Sequence, residues 1–147
     1  MALEDMNPNR RVVVALGSNL GDSRANLLAA IERLRELGDK LVASSLAISK
    51  PVDCPPGSPD FVNAVVAFAA RAGETPESLL EKLQALEVEF GRRPKAVMNE
   101  PRPLDLDIIL FGRERRDSEK LTIPHPRAHL REFVLGPMRE IGVELSE

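Results

Sequence analysis

The chain has 147 residues, 43% hydrophobic and 29% charged, enough apolar material for the core of one domain of ordinary size. That content excludes a disordered polymer, and no run approaches the ~20 apolar residues that a bilayer span requires. Net charge is −3, from 20 basic and 23 acidic residues, which argues against a protein that coats nucleic acid. The single cysteine, Cys54, can make no disulfide within the chain, and no Cys/His cluster has zinc-site spacing. The N-terminus lacks a basic stretch leading into an apolar one, so the expectation is a cytoplasmic protein that uses no membrane.

Residues 1–10 read as a frayed arm and 11–147 as one domain. Residues 11–16 (RVVVAL) are an apolar, β-branched run closed by Gly17, the pattern of a buried strand. The turn over 17–22 ends on Asp22, which can cap a helix carrying Leu27, Ile31 and Leu34 on one stripe, with Gly38 as terminator. A strand is expected over 40–49. Residues 50–60 hold four prolines and a glycine, an irregular loop of a length that is often functional. Residues 61–70 (FVNAVVAFAA) are apolar on both faces and belong mid-sheet.

Thr75 and Pro76 start a second helix, on which Leu79, Leu83, Leu86 and Phe90 line one face up to Gly91. Near its C-terminal end Gln84 and Glu87 lie three apart and project together. A basic loop over 92–103, a strand over 104–111, a charged hairpin over 113–120, a short strand over 121–123 and a partly helical segment through Ile141 complete the chain. The order β-α-β-β-α-β is that of a ferredoxin-like α+β fold, with helices packed on a mostly antiparallel sheet.

Chemistry concentrates in RPLDLDIIL, residues 102–110. Alternation puts Leu104, Leu106, Ile108 and Leu110 on one face of a strand and Asp105 and Asp107 on the other, roughly 6 to 7 Å apart. Two ionised carboxylates this close repel unless a cation or a donor cluster lies between them. Hard oxygen ligands without His or Cys suit Mg²⁺, whose shell is completed by water and phosphate oxygens. The other reading is an edge strand whose outer face is merely solvated, although Asp is depleted in strands. Arg92, Arg93, Lys95, Arg102, Lys120, His125, Arg127 and Arg131 surround the pair in sequence; arginine's rigid fork suits phosphate, and each alone could equally be a surface charge. His125 is fixed between Pro124 and Pro126, as either a ligand contact or a turn residue. The 17–21 segment has neither a Walker spacing nor GxGxxG and reads as a structural turn. Cys54 has no setting that would make it a nucleophile.

Taken together, ALGSNLGD (15–22), PDFVNAVV (59–66), LE and GR (86–92), PRPLDLDIILFG (101–112) and LTIPHP (121–126), continuing to Ile141, resemble the 6-hydroxymethyl-7,8-dihydropterin pyrophosphokinase (HPPK) family. The resemblance implies a single catalytic domain of three αβα layers. It implies transfer of the β,γ-pyrophosphoryl group of ATP to the hydroxymethyl group of 6-hydroxymethyl-7,8-dihydropterin, releasing AMP in folate biosynthesis. Asp105 and Asp107 match the family's ligands for two Mg²⁺ ions. Phe61 and Phe133 match the aromatic pair around the pterin, Asn63 the amide that reads its edge, and Pro51, Val52 and Asp53 the loop that closes on it. For ATP the match covers Gln84, Glu87, Arg92, Arg102, Ile108, Lys120, Thr122, His125 and Arg131. Arg92 and Arg102, with the metals, would neutralise charge in a loose transition state.

The chain departs from the family pattern where Pro94, Met98 and Asn99 replace two arginines and a tryptophan, with Arg93 and Lys95 nearby, and where Lys50 replaces a threonine. An active monomeric enzyme is the leading expectation. A binding protein without turnover is the alternative those departures suggest, and a nucleic-acid-binding module is disfavoured by the acidic balance.

Overall fold

The computed structural model describes residues 6–50, 56–57, 59–91, 103–126 and 132–143. At its centre is β1 (Arg11–Ser18), buried from Val12 onward because both of its faces are covered. Val12, Val14 and Leu16 point into one layer while Val13 and Ala15 point into the other. β1 pairs antiparallel with β4 (Phe61–Ala70) on one side and with β5 (Asp105–Phe111) on the other. β2 (Gly38–Ala43) and β3 (Ala47–Ser49) both pair with the far edge of β4, giving the order β2-β4-β1-β5 with β3 beside β4. This is the expected split β-α-β arrangement of an α+β fold.

α1 (Ser23–Leu34) and α2 (Pro76–Glu89) cover the first face. Their Leu27, Ile31, Leu34, Leu79, Leu83 and Leu86 share one core with Val12, Val14, Leu16 and Phe68. α3 (Glu132–Glu140) covers only part of the second face, packing Val134 and Met138 on Val13, Ala15, Val65 and Ala67. A small hairpin sheet, β6 (Arg116–Asp117) with β7 (Thr122–Ile123), lies beside β5. Among the described residues no helix is long and apolar enough to cross a membrane.

The caps follow local chemistry. Asp22 accepts from the Ala25 amide at 3.1 Å, and Thr75 and Ser78 form a reciprocal box ahead of α2. α3 stops in a Schellman pattern, with Val143 N donating to Met138 O and Gly142 N to Arg139 O.

Four expectations need correction. The strand over 40–49 is broken at Ser44: its amide still donates to Val65 O at 2.9 Å, but its hydroxyl rather than a carbonyl accepts from Val65 N at 2.9 Å and donates to Ser45 O at 2.9 Å. Gly38 does not terminate α1, which ends at Leu34; it opens β2, where a Cβ would lie 2.2 Å from Phe68 Cδ1. Residues 6–10 do not fray. Met6 is buried, residues 8–10 form a 3-10 turn, and Asn9 O sits so close to Gly112 that a Cβ there would lie 2.1 Å from it. Finally, the β1–β5 register slips between Val13, opposite Leu110, and Val14, opposite Ile108, so Ile109 is an extra residue. Beyond this bulge the faces exchange: Leu110 packs on the α3 side and Phe111 joins the α1/α2 core.

Ahead of α2, Glu74 is only 7% exposed, and its carboxylate accepts from Lys82 Nζ at 2.8 Å and from the Ser78 hydroxyl. Burial opposes its charge, but hydrogen bonds from Lys82 and Ser78 and the charges of Lys82 and Arg10 prevail, holding the carboxyl below its usual range. A depressed carboxyl contributes stability that is present above its unfolded pKa and lost as pH falls through the folded one. Lys82→Met should therefore lower stability at pH 7 by about 1–3 kcal/mol, the cost of a buried charge deprived of its partner. It should also flatten the loss of stability on acidification below the ordinary carboxylate range, as read from urea midpoints across pH.

Candidate active site

Among the described residues α3 packs on only part of the second face, and the candidate residues stand on the sheet beyond it. The register fixes what stands there. Gly17 of β1 is opposite Asn63 of β4 on one side and Asp105 of β5 on the other, and Ala15 is likewise opposite Val65 and Asp107. Two-residue alternation then puts Phe61, Asn63, Asp105 and Asp107 on this one face. Both aspartates are part-exposed. Gly17, with no side chain, leaves the strip between them low: a Cβ there would lie 3.5 Å from both Asn63 Oδ1 and Phe61 Cδ1. An amide and a carboxylate thus flank one glycine at two inter-strand spacings, about 10 Å.

Polar side chains hold the rim. Asn63 is 5% exposed, and its Nδ2 donates to Ser49 Oγ at 2.8 Å and to Ala47 O at 3.3 Å, both on β3. Asn19, also buried, donates to Pro59 O at 3.4 Å, just ahead of β4. Asn26 Nδ2 reaches Leu20 O at 3.1 Å and Pro103 O at 3.2 Å, just ahead of β5. The turn after β1, through Asn19, and the start of α1, through Asn26, therefore fasten the chain before both strands that carry site residues.

On the outer side of β5, Glu87 is 6% exposed and its Oε2 accepts from Leu106 N at 2.8 Å, between the two aspartates. β5 ends the main sheet path, so this carboxylate from α2 satisfies an edge amide that no strand among the described residues covers. Gln84, expected to project with Glu87, is exposed, whereas Glu87 is turned inward. The Ile108 side chain lies in the α1/α2 core, so only its backbone can face a ligand.

The hairpin brings a second group of residues alongside. His125 N donates at 3.0 Å to Ile109 O, the carbonyl of the bulge residue, and Thr122 and His125 are both part-exposed. Lys120 is exposed at the turn before them. Arg116 Nε donates to Glu77 Oε2 at 2.6 Å, tying the hairpin to the first turn of α2; that bond lowers the Glu77 carboxyl and raises the Arg116 guanidinium. On the other side Phe133, in the first turn of α3, packs against the second-face core. α3 is pinned at its far end by Glu140, which accepts from Ser45 N at 2.8 Å and Ser45 Oγ at 2.6 Å; these bonds lower its carboxyl.

Sequence reasoning did not single out Asn26, Ser49, Ser45 or Glu140. Asn and Ser close to strand ends carry no periodic signal; only the register reveals their partners. Arg92, Arg102, Arg131, Pro51, Val52 and Asp53 lie outside the described residues, as do Arg93, Pro94, Lys95, Met98, Asn99, Arg127 and Cys54.

Since Glu87 satisfies a buried amide, Glu87→Ala should cost about 1–3 kcal/mol in chemical unfolding, and Glu87→Gln, which keeps an acceptor, markedly less.

The sequence model of the family described as 7,8-dihydro-6-hydroxymethylpterin-pyrophosphokinase (HPPK) matches residues 13–143. The 2-amino-4-hydroxy-6-hydroxymethyldihydropteridine pyrophosphokinase of Pseudomonas aeruginosa is 42% identical over 138 residues, covering 92% of this chain and 83% of that protein. The enzyme of the same name from Haemophilus influenzae is 42% identical over 134 residues, 90% of this chain and 81% of that one. A folic acid synthesis protein of Pneumocystis carinii is 41% identical over 143 residues, 97% of this chain but 19% of that protein. The match thus spans every element from β1 to α3, and the chain belongs to the HPPK family.

Proposed function

We propose that the chain transfers the β,γ-pyrophosphoryl group of ATP to the hydroxymethyl oxygen of 6-hydroxymethyl-7,8-dihydropterin, releasing AMP, as a step of folate biosynthesis. One observation supports this above the rest: an amide with an aromatic ring, and a carboxylate pair, stand on opposite sides of a single glycine. A flat heterocycle on the first and a polyphosphate on the second would meet over Gly17.

The donor set fits Mg²⁺. Asp105 and Asp107, two hard oxygen donors on one strand face, would hold two Mg²⁺ ions whose remaining ligands are water and nucleotide oxygens, which is the habit of Mg²⁺. When bound, such ions would neutralise the phosphate charge and orient the β-phosphorus toward the attacking oxygen.

The chain's own groups do the rest. Phe61 and Phe133, one on the sheet and one on α3, would bracket the ring, with Asn63 reading its edge and Pro51, Val52 and Asp53 closing over it. Thr122, His125 and Lys120 from the hairpin, Gln84 from α2, and Arg92, Arg102 and Arg131 would take the nucleotide and its phosphates. Glu87 would support it by holding Leu106 at the edge of β5, and Ile108 would reach it by its own main chain. Loose phosphoryl-type transfer asks for positioning and charge neutralisation, which these groups supply without a covalent intermediate.

AMP formation from ATP and Mg²⁺ should depend on the pterin and be abolished by EDTA. Asp105→Ala and Asp107→Ala should each lower the rate by about 10²-fold or more. A near-wild-type rate in either variant would overturn the assignment. Ligand binding without AMP would support the binding-protein reading that Pro94 and Met98 suggest.

A further inference from the structure

This inference rests on reading the Phe61/Asn63 face as the pterin site. We propose that Ser49 is a positioning residue that holds the Asn63 amide in the orientation selected by the Ala47 carbonyl, so that Asn63 offers the pterin an acceptor and takes a ring N–H.

A side-chain amide has two N–H donors on one end and a carbonyl acceptor on the other, and its two ends have nearly the same shape, so only its partners decide which way it points. Here both partners lie on β3: the Ala47 carbonyl can only accept and so selects the donor end, while the Ser49 hydroxyl, able to accept or donate, adds a second bond that holds the amide there. Ser49 Oγ is 2.8 Å from Asn63 Nδ2 and Ala47 O is 3.3 Å from it. They absorb the donor end. The register that seats Ala47 opposite Asn63 also puts Ser49 opposite Phe61, so the amide and the ring beside it share one short strand as their support. The acceptor end lies on the other side, toward β1, where Oδ1 is 3.5 Å from the position a Gly17 Cβ would occupy. Asn63 is 5% exposed, so a reversed amide would bury Oδ1 against the Ala47 carbonyl, two acceptors face to face.

Of the two bonds, the one to Ser49 is shorter and is the one a side-chain change can remove. Without it a single longer bond holds the amide, the side chain leaves that orientation more often, and a fraction of molecules no longer presents the acceptor to the pterin N–H. The effect is confined to the ring. Among the described residues β3 pairs only with β4, and the carboxylate pair is on the far side of β1.

The experiment is steady-state kinetics of Ser49→Ala, Ser49→Thr and Ser49→Val, the last two being matched in shape and differing in the hydroxyl, with urea midpoints for each. The expected result is a pterin KM raised about 5- to 10-fold in Ser49→Ala and Ser49→Val, the scale of one net hydrogen bond. KM for ATP and kcat should stay within twofold, and Ser49→Thr should restore the pterin KM. An unchanged pterin KM in Ser49→Val, equal rises in both KM values, or failure of Ser49→Thr to restore binding would overturn the proposal. If the wild-type protein formed no pterin-dependent AMP at all, the reading of the face itself would fail, and this inference with it.

Discussion

The site depends on one backbone constraint, the antiparallel pairing of β1 with β4 and β5 at once. Because each strand alternates with a period of two, a register slip of one residue on either side would send Asn63 or the aspartates into the α1/α2 core. The pairing is held by packing: β1 contributes Val12, Val14 and Leu16 to one core and Val13 and Ala15 to the other, so a slip would swap two sets of different volume between two packed layers. Apolar packing far from the chemistry therefore decides which polar groups share a face.

Around that frame, buried or half-buried polar side chains tie the site to its supports. Asn19 and Asn26 bind the carbonyls ahead of β4 and β5, Glu87 satisfies the edge of β5, Ser49 orients Asn63, and Glu140 pins α3 to the break between β2 and β3. Each is a side chain bonded to a backbone group or to another side chain across a long stretch of sequence, and together they constrain strand ends that the hydrophobic core does not reach. The bulge at Ile109 belongs to the same set, since it turns a carbonyl toward His125 and docks the hairpin.

Much of this was legible in the residues. The valine run of β1, the Thr-Pro start of α2, the FVNAVVAFAA strand and the Asp-Leu-Asp alternation announce their elements through period and capping, and the carboxylate pair follows from alternation alone. What the sequence hid is long-range or irregular. Ser44 breaks a strand because its hydroxyl takes the Val65 amide that the ladder would give to a carbonyl. Gly38 looks like a helix terminator but is required by the Phe68 ring across the sheet. Ile109 looks like one more residue in an alternating strand, and only its partner strand makes it a bulge. Met6 reads as part of a polar arm but is buried against the α3 side of the sheet.

The central claim is that the ring site and the carboxylate site are two halves of one site on either side of Gly17. Its most direct test is paramagnetic relaxation of an isotope-labelled pterin by Mn²⁺ bound in place of Mg²⁺ with a non-cleavable ATP analogue. Two inter-strand spacings predict a metal-to-ring separation of about 10 Å, with the effect lost in Asp105→Ala. A bound pterin whose resonances were indifferent to Mn²⁺, or equally relaxed without Asp105, would contradict it.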